Sequence, residues 1–306
     1  MSENIYDTII IGGGPAGYTA GLYTVRAGLS TLVLEQFLAG GQMTQTSQID
    51  NYPGFDEGVD GFTLGSKMQQ GAVRFGAEIA QTQVLSVDLN INPKVINTDK
   101  GEYFAKTVII ATGANHKHLG IANEEQLIGK GVGYCAACDG MFFREKTVAV
   151  VGGGNSAAAD ALLLSKICKK VYVIHRRDKM RATKIYNEPL QKADNIEFKW
   201  NCQVKEILFD EMVNGVIIEN NNGLVEKLDI DGLFISIGRS PVTEIFRGQV
   251  ELDELGYVVA DETTKTNIDG VFAAGDVRTK VVRQIVTATA DGAVAAHYAE
   301  GYLGRN

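Results

Sequence analysis

A glycine-rich segment occurs twice in this chain, and this repetition limits the fold more than any other feature of the sequence. In each copy an apolar run leads into a glycine turn, a helical pattern follows, and a second apolar run closes the segment. Each copy therefore predicts a β-α-β unit. The matching positions lie 140 residues apart and are Gly12 and Gly152, Gly14 and Gly154, Gly17 and Ala157, and Glu35 and His175.

The glycine positions have the spacing of a dinucleotide-binding turn. The first glycine makes the turn tight, the second lets the backbone approach a pyrophosphate, and the third position lets the helix pack closely on the strand. The helix N-terminus that follows favours bound phosphate. A single copy could be a turn that serves packing alone, but two copies with the same flanks favour two nucleotide sites. We predict an α/β fold with two Rossmann-like dinucleotide-binding domains.

The residues that end the second strand differ between the two copies and indicate different ligands. Glu35 lies 18 residues beyond Gly17, where a carboxylate can accept hydrogen bonds from an unphosphorylated adenosine ribose, as in FAD or NAD. The second copy ends in His175-Arg176-Arg177, with Arg181 four residues further on. Guanidinium groups bind a 2′-phosphate through paired hydrogen bonds. The second copy therefore favours NADPH over NADH, and a solvated basic turn is the alternative interpretation.

Three further apolar strands indicate where the domains end. Residues 108–113 follow the first copy, residues 233–238 follow the second, and residues 271–276 bring a Gly-Asp pair to a strand end near the C-terminus. The last of these resembles the completion of the first copy. We therefore predict a discontinuous FAD-binding domain, residues 1–115 with 246–306. The NADPH-binding domain would be inserted as residues 116–245.

A pair of cysteines, Cys135 and Cys138, lies in the inserted segment and is followed by Asp139. Two intervening residues allow a disulfide that opens and closes with little backbone change, and such pairs commonly exchange electrons. Asp139 is placed to deliver or remove the proton that thiol exchange requires. The alternative is a zinc half-site completed by His116 and His118, but the sequence has no second C-x-x-C or H-x-x-x-H motif. We expect no metal.

Composition excludes several other function classes. The chain has 306 residues, enough for about two domains, and a net charge of -8. This charge argues against nucleic acid or an anionic membrane as a general partner. No stretch approaches the roughly 18 apolar residues of a membrane helix, and no basic region precedes the first apolar run, so we expect a cytoplasmic protein. The two other cysteines, Cys168 and Cys202, are expected to be buried and inert.

The order and spacing of these motifs resemble those of low-molecular-weight, bacterial-type thioredoxin reductases over essentially the whole chain. The motifs that carry the resemblance are Gly12-Gly13-Gly14-Pro15-Ala16-Gly17, Gly40-Gly41-Gln42, Asn51-Tyr52-Pro53-Gly54, Ala111-Thr112-Gly113, Cys135-Ala136-Ala137-Cys138-Asp139, His175-Arg176-Arg177 with Arg181, and Gly275-Asp276-Val277 followed by Arg283-Gln284.

The resemblance implies which residues contact each cofactor. The implied FAD contacts are Gly12, Gly14, Pro15, Ala16, Gly17, Glu35, Gly41, Gln42, Asn51, Val84, Ala111, Thr112, Gly113, Gly275, Asp276, Arg283, Gln284 and Ile285. The implied NADPH contacts are Gly152, Gly154, Asn155, Ser156, His175, Arg176, Arg177 and Arg181.

The resemblance also implies a homodimer and a sequence of reactions. Hydride would pass from NADPH to FAD, and electrons would then pass to the disulfide between Cys135 and Cys138. Cys138 would face the flavin, Cys135 would attack the disulfide of thioredoxin, and Asp139 would act as the acid–base group.

Three positions in the implied nucleotide site depart from the family pattern. Family members usually carry an Asp after the third glycine and two Glu residues shortly after it, where this chain has Asn155, Ala159 and Asp160. These departures leave a ferredoxin-dependent flavin thioredoxin reductase as an alternative. A related flavoprotein reductase for another small disulfide protein is a second alternative, and a nucleotide-binding protein with a zinc-stabilised interface is a third.

Overall fold

The computed structural model describes residues 5–46 and 48–304. It divides into two compact units. The discontinuous unit runs up to Asn115 and resumes at Ser240, and the inserted unit spans His116–Arg239.

The described residues form both strands and α-helices. The strands are β1 (Ile5–Ile11), β2 (Thr31–Glu35), β3 (Glu78–Gln81), β4 (Val84–Asp88), β5 (Lys94–Thr98), β6 (Gly101–Ile110), β7 (Ala114–His116), β8 (Val132–Gly133), β9 (Thr147–Val151), β10 (Lys170–His175), β11 (Ile196–Trp200), β12 (Cys202–Phe209), β13 (Val213–Asn220), β14 (Val225–Asp229), β15 (Gly232–Ile235), β16 (Arg239–Pro241) and β17 (Val271–Ala273). The α-helices are α1 (Pro15–Arg26), α2 (Gly61–Arg74), α3 (Ala136–Asp139), α4 (Asn155–Ser165), α5 (Lys184–Lys192) and α6 (Ile285–Tyr302). In the described residues, strands alternate with α-helices from β1 to β3 and from β8 to β11, and successive strands follow one another elsewhere until α6.

The predicted repeat is present in the structure. β1, α1 and β2 form the first copy, and β9, α4 and β10 form the second. The two helices begin at Pro15 and Asn155, and the strands that follow them end at Glu35 and His175. The strands of each copy pair in parallel, so each copy is a β-α-β unit as predicted.

One sheet forms the centre of the discontinuous unit. Its order is β3-β2-β1-β6-β5-β4, and β17 also pairs with β6. β3, β2, β1, β6 and β17 pair in parallel, whereas β4 and β5 add an antiparallel edge. The first residues of β6 pair with β5, and its last residues pair with β17. The strand near the C-terminus, β17, therefore joins the sheet that contains the first β-α-β unit.

The inserted unit contains two sheets. The larger has the order β11-β10-β9-β15-β8, and all of its pairs are parallel. The smaller is the antiparallel sheet β12-β13-β14. The α/β class with two Rossmann-like units is therefore confirmed.

Alternate residues of the central strands pack on opposite faces of the sheets, as the period of two requires. In β9, Val148 and Val150 pack with the helix α4 cluster, while Ala149 and Val151 pack with the cluster that includes β12 and β13. β1 behaves in the same way, since Ile10 packs with α1 and its neighbours face the other cluster. Both faces of each parallel sheet are covered, which explains the uninterrupted apolar runs in the sequence.

The second crossing between the units lies earlier than the sequence suggested. Residues 240–245 were expected in the inserted domain, but they belong to the discontinuous unit. The Val242 N–H donates to Gly113 O at 3.0 Å, and Thr243 Oγ1 donates to Gly256 O at 2.8 Å. These hydrogen bonds attach the segment to the discontinuous unit before the expected boundary at residue 246.

Candidate active site

The first glycine turn brings backbone atoms very close together. Gly12 has a φ of +112°, and a Cβ there would lie 2.4 Å from Ala111 O. A Cβ at Gly17 would lie 1.8 Å from Gly12 O, so α1 packs directly on the turn. A Cβ at Gly14 would meet no atom within 4 Å. The turn is therefore closed on its protein side and open in front of the N-terminus of α1, where a phosphate can bind.

The side chain at the end of β2 lies beneath this turn. Glu35 is buried, and a Cβ at Gly13 would lie 1.9 Å from its Oε2 atom. Glu35 Oε1 accepts the N–H of Phe37 at 3.2 Å, but Oε2 has no hydrogen-bond partner among the described residues. Burial raises the pKa of the carboxyl. A buried acceptor without a donor is costly, so the atom is suited to a hydroxyl group of a ligand.

The second turn repeats this arrangement with a different side chain. Gly152 has a φ of +155°, and a Cβ there would lie 2.3 Å from Ser236 O. A Cβ at Gly153 would lie 2.0 Å from the Cε1 atom of His175. His175 is buried, and its Nε2 atom has no hydrogen-bond partner in the described parts of the chain. Gly154 again faces open space.

A basic loop follows His175. Arg176, Arg177 and Arg181 are exposed, and the Arg181 N–H donates to Gly153 O at 2.7 Å. This bond ties the loop to the second turn. Burial lowers the pKa of His175, and the three arginines act in the same direction. The predicted NADPH residues thus lie on one loop and one turn, with their cationic groups exposed.

Two of the three departures from the family pattern, Asn155 and Asp160, form hydrogen bonds within the inserted unit. Asn155 Oδ1 accepts the N–H of Thr183 at 2.9 Å and so holds the far end of the basic loop at the start of α4. Ser236, which follows β15, donates a hydrogen bond from its hydroxyl to Asp160. Burial raises the pKa of Asp160. Exposed Ser156 lies beside Asn155 at the N-terminus of α4, as its predicted role requires.

The predicted FAD residues outside the turn form a second group in the discontinuous unit. Asn51 Nδ2 donates to Gln284 Oε1 at 3.0 Å, which joins the loop after β2 to the start of α6. Ile285, the first residue of α6, packs against Met43 and its neighbours. Gln42 Nε2 donates to the Ala114 carbonyl and to Asn115 Oδ1 at 2.9 Å. The residues of each pair lie far apart in the sequence and are in contact in the structure.

The turn that carries Asp276 is held by charged side chains of its own unit. The Gly275 N–H donates to Asp291 Oδ2 at 2.9 Å. Arg283 donates to the carbonyls of Lys280 and Arg278 at 3.0 and 3.2 Å. A cofactor role for Arg283 stays a prediction, but its guanidinium already stabilises this turn. Val84 is half-buried at the start of β4 and packs against the core.

The two central cysteines form a disulfide at the start of α3. Cys135 is the N-cap of this single turn, Cys138 lies within it, and their Cα atoms are 5.3 Å apart. The N–H groups of Cys138 and Asp139 donate to Cys135 O at 3.1 and 3.0 Å. Burial raises the pKa of Asp139 to about 6. The carboxyl therefore exchanges its proton close to neutral pH, and its role as the acid–base group stays a prediction.

The other two cysteines are buried and free of disulfide bonds. Burial raises the pKa of the Cys168 thiol to about 11 and also raises that of Cys202. Thiols of this kind react poorly, because the thiolate is the reactive form. His116 and His118, the residues considered for zinc, contact Tyr134. No cluster of three potential metal ligands occurs within residues 5–46 and 48–304.

Comparison with known proteins identifies the family. Residues 6–292 match the family model described as pyridine nucleotide-disulphide oxidoreductase. A thioredoxin reductase from Listeria innocua is 46% identical over 303 residues, which cover 98% of this chain and 95% of that protein. The chain belongs to the thioredoxin reductases. A crystal structure of the Streptococcus pyogenes thioredoxin reductase is 43% identical, covers 99% of both chains and superposes with a TM-score of 0.92. One from Giardia duodenalis is 36% identical, with a TM-score of 0.93 and coverage of 99% and 100%.

Membership makes the chain an oxidoreductase of the bacterial thioredoxin reductase type, as the motifs indicated. Within the described residues, no helix has both the length and the apolar character to span a membrane.

Three residues that shape this thioredoxin reductase site had no role assigned from the sequence. Gly13 and Gly153, the middle glycines, lie directly over Glu35 and His175, and each is too close for a side chain. Gly13 was named only as part of the first glycine motif, and its separation of 140 residues from Gly153 could have identified both as equivalent positions. Tyr18, on α1, is also buried beside Gly13, and burial followed by the Glu35 charge raises its pKa.

Proposed function

We propose that this chain is an NADPH-dependent thioredoxin-disulfide reductase that uses FAD. One observation carries the proposal. The inserted unit contains the Cys135–Cys138 disulfide, a glycine turn, a basic loop and the buried His175, whose Nε2 atom has no hydrogen-bond partner among the described residues. The discontinuous unit contains the other glycine turn, with the buried carboxylate of Glu35 beside it. Two nucleotide turns and one exchangeable disulfide are what electron transfer from a nucleotide to a protein disulfide requires.

The discontinuous unit fits FAD. Glu35 Oε2 needs a donor, which an adenosine ribose hydroxyl supplies, and the open face of Gly14 admits a pyrophosphate. Asn51, Gln284 and Asp276 would hold the remaining polar groups. FAD, when bound, would accept a hydride from NADPH and return two electrons to the disulfide.

The inserted unit fits NADPH. The turn at Gly154 is open in front of α4, and His175 Nε2 offers a buried polar atom. Arg176, Arg177 and Arg181 are exposed and form no ion pair among the described residues that would compete for a 2′-phosphate. These guanidinium groups support NADPH over NADH and over ferredoxin as the donor.

The reduced cysteine pair would then act on thioredoxin. The Cys135 thiolate attacks a disulfide sulfur of thioredoxin, that bond breaks, and a mixed disulfide forms. The Cys138 thiolate next attacks Cys135 Sγ, which restores the Cys135–Cys138 bond and releases dithiol thioredoxin. Asp139 supplies a proton to the leaving thiolate, and its raised pKa lets it do so near neutral pH.

Serine substitutions test this proposal. Cys135→Ser and Cys138→Ser should each reduce NADPH-dependent thioredoxin reduction to background while leaving NADPH able to bleach the flavin. Cys168→Ala is the matched control, because that thiol is buried and lies outside the pair, and it should keep thioredoxin reduction. Full thioredoxin reduction by Cys135→Ser would contradict the proposal.

Two further expectations belong to the proposal. The family supports a homodimer, which sedimentation would detect. The cytoplasmic location is supported by the free thiols of Cys168 and Cys202 and by the proposed use of the one disulfide for exchange, both of which suit a reducing compartment.

A further inference from the structure

Tyr134 lies immediately before Cys135, and its side chain enters a polar cluster in the inserted unit. The Tyr134 hydroxyl donates to Glu124 Oε1 at 2.7 Å and lies 2.9 Å from His118 Nδ1. Burial, followed by the hydrogen bond to Glu124, raises the pKa of Tyr134. The phenol therefore keeps its proton and remains the donor to Glu124.

Glu124 anchors the cluster. Its side chain is almost completely buried, and it accepts the N–H groups of Leu119 and Gly120 at 3.0 and 2.9 Å. His118 Nδ1 lies 3.5 Å from Glu124 Oε1. One buried carboxylate thus fixes the loop at 118–120 and the hydroxyl of Tyr134, and such satisfied buried networks are rigid.

Two histidine rings contact the tyrosine ring. The His116 ring stacks on the Tyr134 ring with centroids 4.8 Å apart, and His118 meets it edge-on at 5.5 Å. Burial lowers the pKa of His116 to about 4, so this ring is neutral near pH 7. Tyr134 is therefore held both at its hydroxyl and through its ring, one residue from the disulfide.

We propose that Tyr134 is a positioning residue for the Cys135–Cys138 pair. Its anchored side chain limits how far Cys135 can move when the disulfide opens, so the two thiols stay close together. The inference rests on the proposed function, in which this pair opens and closes. Proximity of this kind raises the effective concentration of one thiol at the other and favours the closed disulfide.

Thiol–disulfide exchange with glutathione shows in which direction the reduction equilibrium of the cysteine pair should change. Two glutathione thiols reduce the pair: the Cys135–Cys138 bond breaks, two protein thiols form, and one glutathione disulfide is produced. Release of Tyr134 lowers the effective concentration of the thiols, so the pair should become easier to reduce and slower to close.

The test compares Tyr134→Phe with the wild-type holoenzyme in glutathione buffers, with thiols trapped by alkylation and flavin followed by absorbance. Tyr134→Phe keeps the ring and loses the hydroxyl. The equilibrium constant for reduction of the pair should rise about three- to tenfold, which is roughly 15–30 mV in potential. Tyr172→Phe is the matched control, because this tyrosine lies on β10 in the same unit and contacts Lys170 and Lys199.

Equal constants for Tyr134→Phe and wild type, or equal shifts in both tyrosine variants, would overturn the inference. Glu124→Gln is a second variant, which keeps the test available if Tyr134→Phe does not fold. It should also raise the equilibrium constant for reduction of the cysteine pair. The comparison uses glutathione, so it gives an answer even if NADPH fails to reduce the protein. Failure of the proposed function would instead appear as wild-type flavin that NADPH does not bleach.

Discussion

The ends of the two equivalent strands carry different side chains in the same place. Glu35 and His175 both lie beneath the middle glycine of their turns, and each has a buried polar atom that no described residue satisfies. A carboxylate oxygen only accepts hydrogen bonds, whereas a neutral imidazole can donate as well as accept, and His175 is followed by exposed arginines. The same backbone arrangement therefore presents a different buried polar group in each unit.

Asp139 provides a prediction at this scale. Burial raises its pKa from 3.8 to about 6, so the protonated fraction falls about tenfold for each pH unit above that value. If Asp139 supplies the proton to the leaving thiolate, the rate at which pre-reduced enzyme reduces thioredoxin, divided by that of Asp139→Asn, should fall as pH rises from 6 to 8. Rapid-mixing measurements would give this ratio.

The stability of the same variant provides a control. Because the folded pKa of Asp139 is raised, ionisation costs stability, and the wild type should lose unfolding free energy as pH rises from 3.8 to about 6. Asp139→Asn should lack this loss. A rate ratio that stays constant with pH while the stability difference appears would show that Asp139 is buried but does not transfer the proton.

At the scale of elements, the glycine turns before α1 and α4 pack closely against neighbouring backbone and leave the N-terminus of the helix accessible. Gly14 and Gly154 have φ values of -84° and -98°, which any residue can adopt, and neither would place a Cβ near a protein atom. Gly17 is different, because its Cβ would lie 1.8 Å from Gly12 O. Packing therefore explains Gly17 but not Gly14 or Gly154, where the proposed approach of a pyrophosphate gives a reason for glycine.

Alanine substitutions at Gly14 and Gly154 should each weaken the binding of a different nucleotide. Gly14→Ala should weaken FAD binding at least about tenfold, because the methyl group occupies the approach to the pyrophosphate. Gly154→Ala should leave FAD bound and weaken NADPH to a similar degree. Both should change the unfolding free energy of the apoprotein by no more than about 1 kcal/mol. Titrations of each nucleotide and thermal unfolding would measure these effects, and a Gly14→Ala protein with normal FAD affinity would contradict the assignment.

The sequence predicted the elements that depend on local pattern and periodicity. Both β-α-β units, the strand that delivers Asp276 and the helix after it follow from apolar runs and glycine turns. The second crossing was expected within residues 240–246 with the boundary at 246, and the structure puts it at the start of that range, between Arg239 and Ser240. No change in composition marks the exact position, which hydrogen bonds such as that from Val242 to Gly113 define. The Tyr134 cluster was missed because its members meet only after folding.

The whole molecule combines two related units that differ in what they carry. The discontinuous unit has one nucleotide turn, and the inserted unit has the other turn together with the disulfide. The first crossing lies within β7, shortly after β6 ends, and the second lies within β16, shortly after β15 ends. In each unit the chain therefore leaves near the carboxyl end of a strand of the parallel sheet. In open parallel sheets ligands bind at that end.

An anaerobic titration of the purified holoenzyme tests the central proposal most directly. NADPH, and separately NADH, would be added while the flavin absorbance is followed, and oxidised thioredoxin would be added afterwards. If the proposal is correct, NADPH bleaches the flavin at far lower concentration than NADH, and thioredoxin restores the colour. Flavin that neither nucleotide bleaches, or bleached flavin that thioredoxin does not reoxidise, would contradict it.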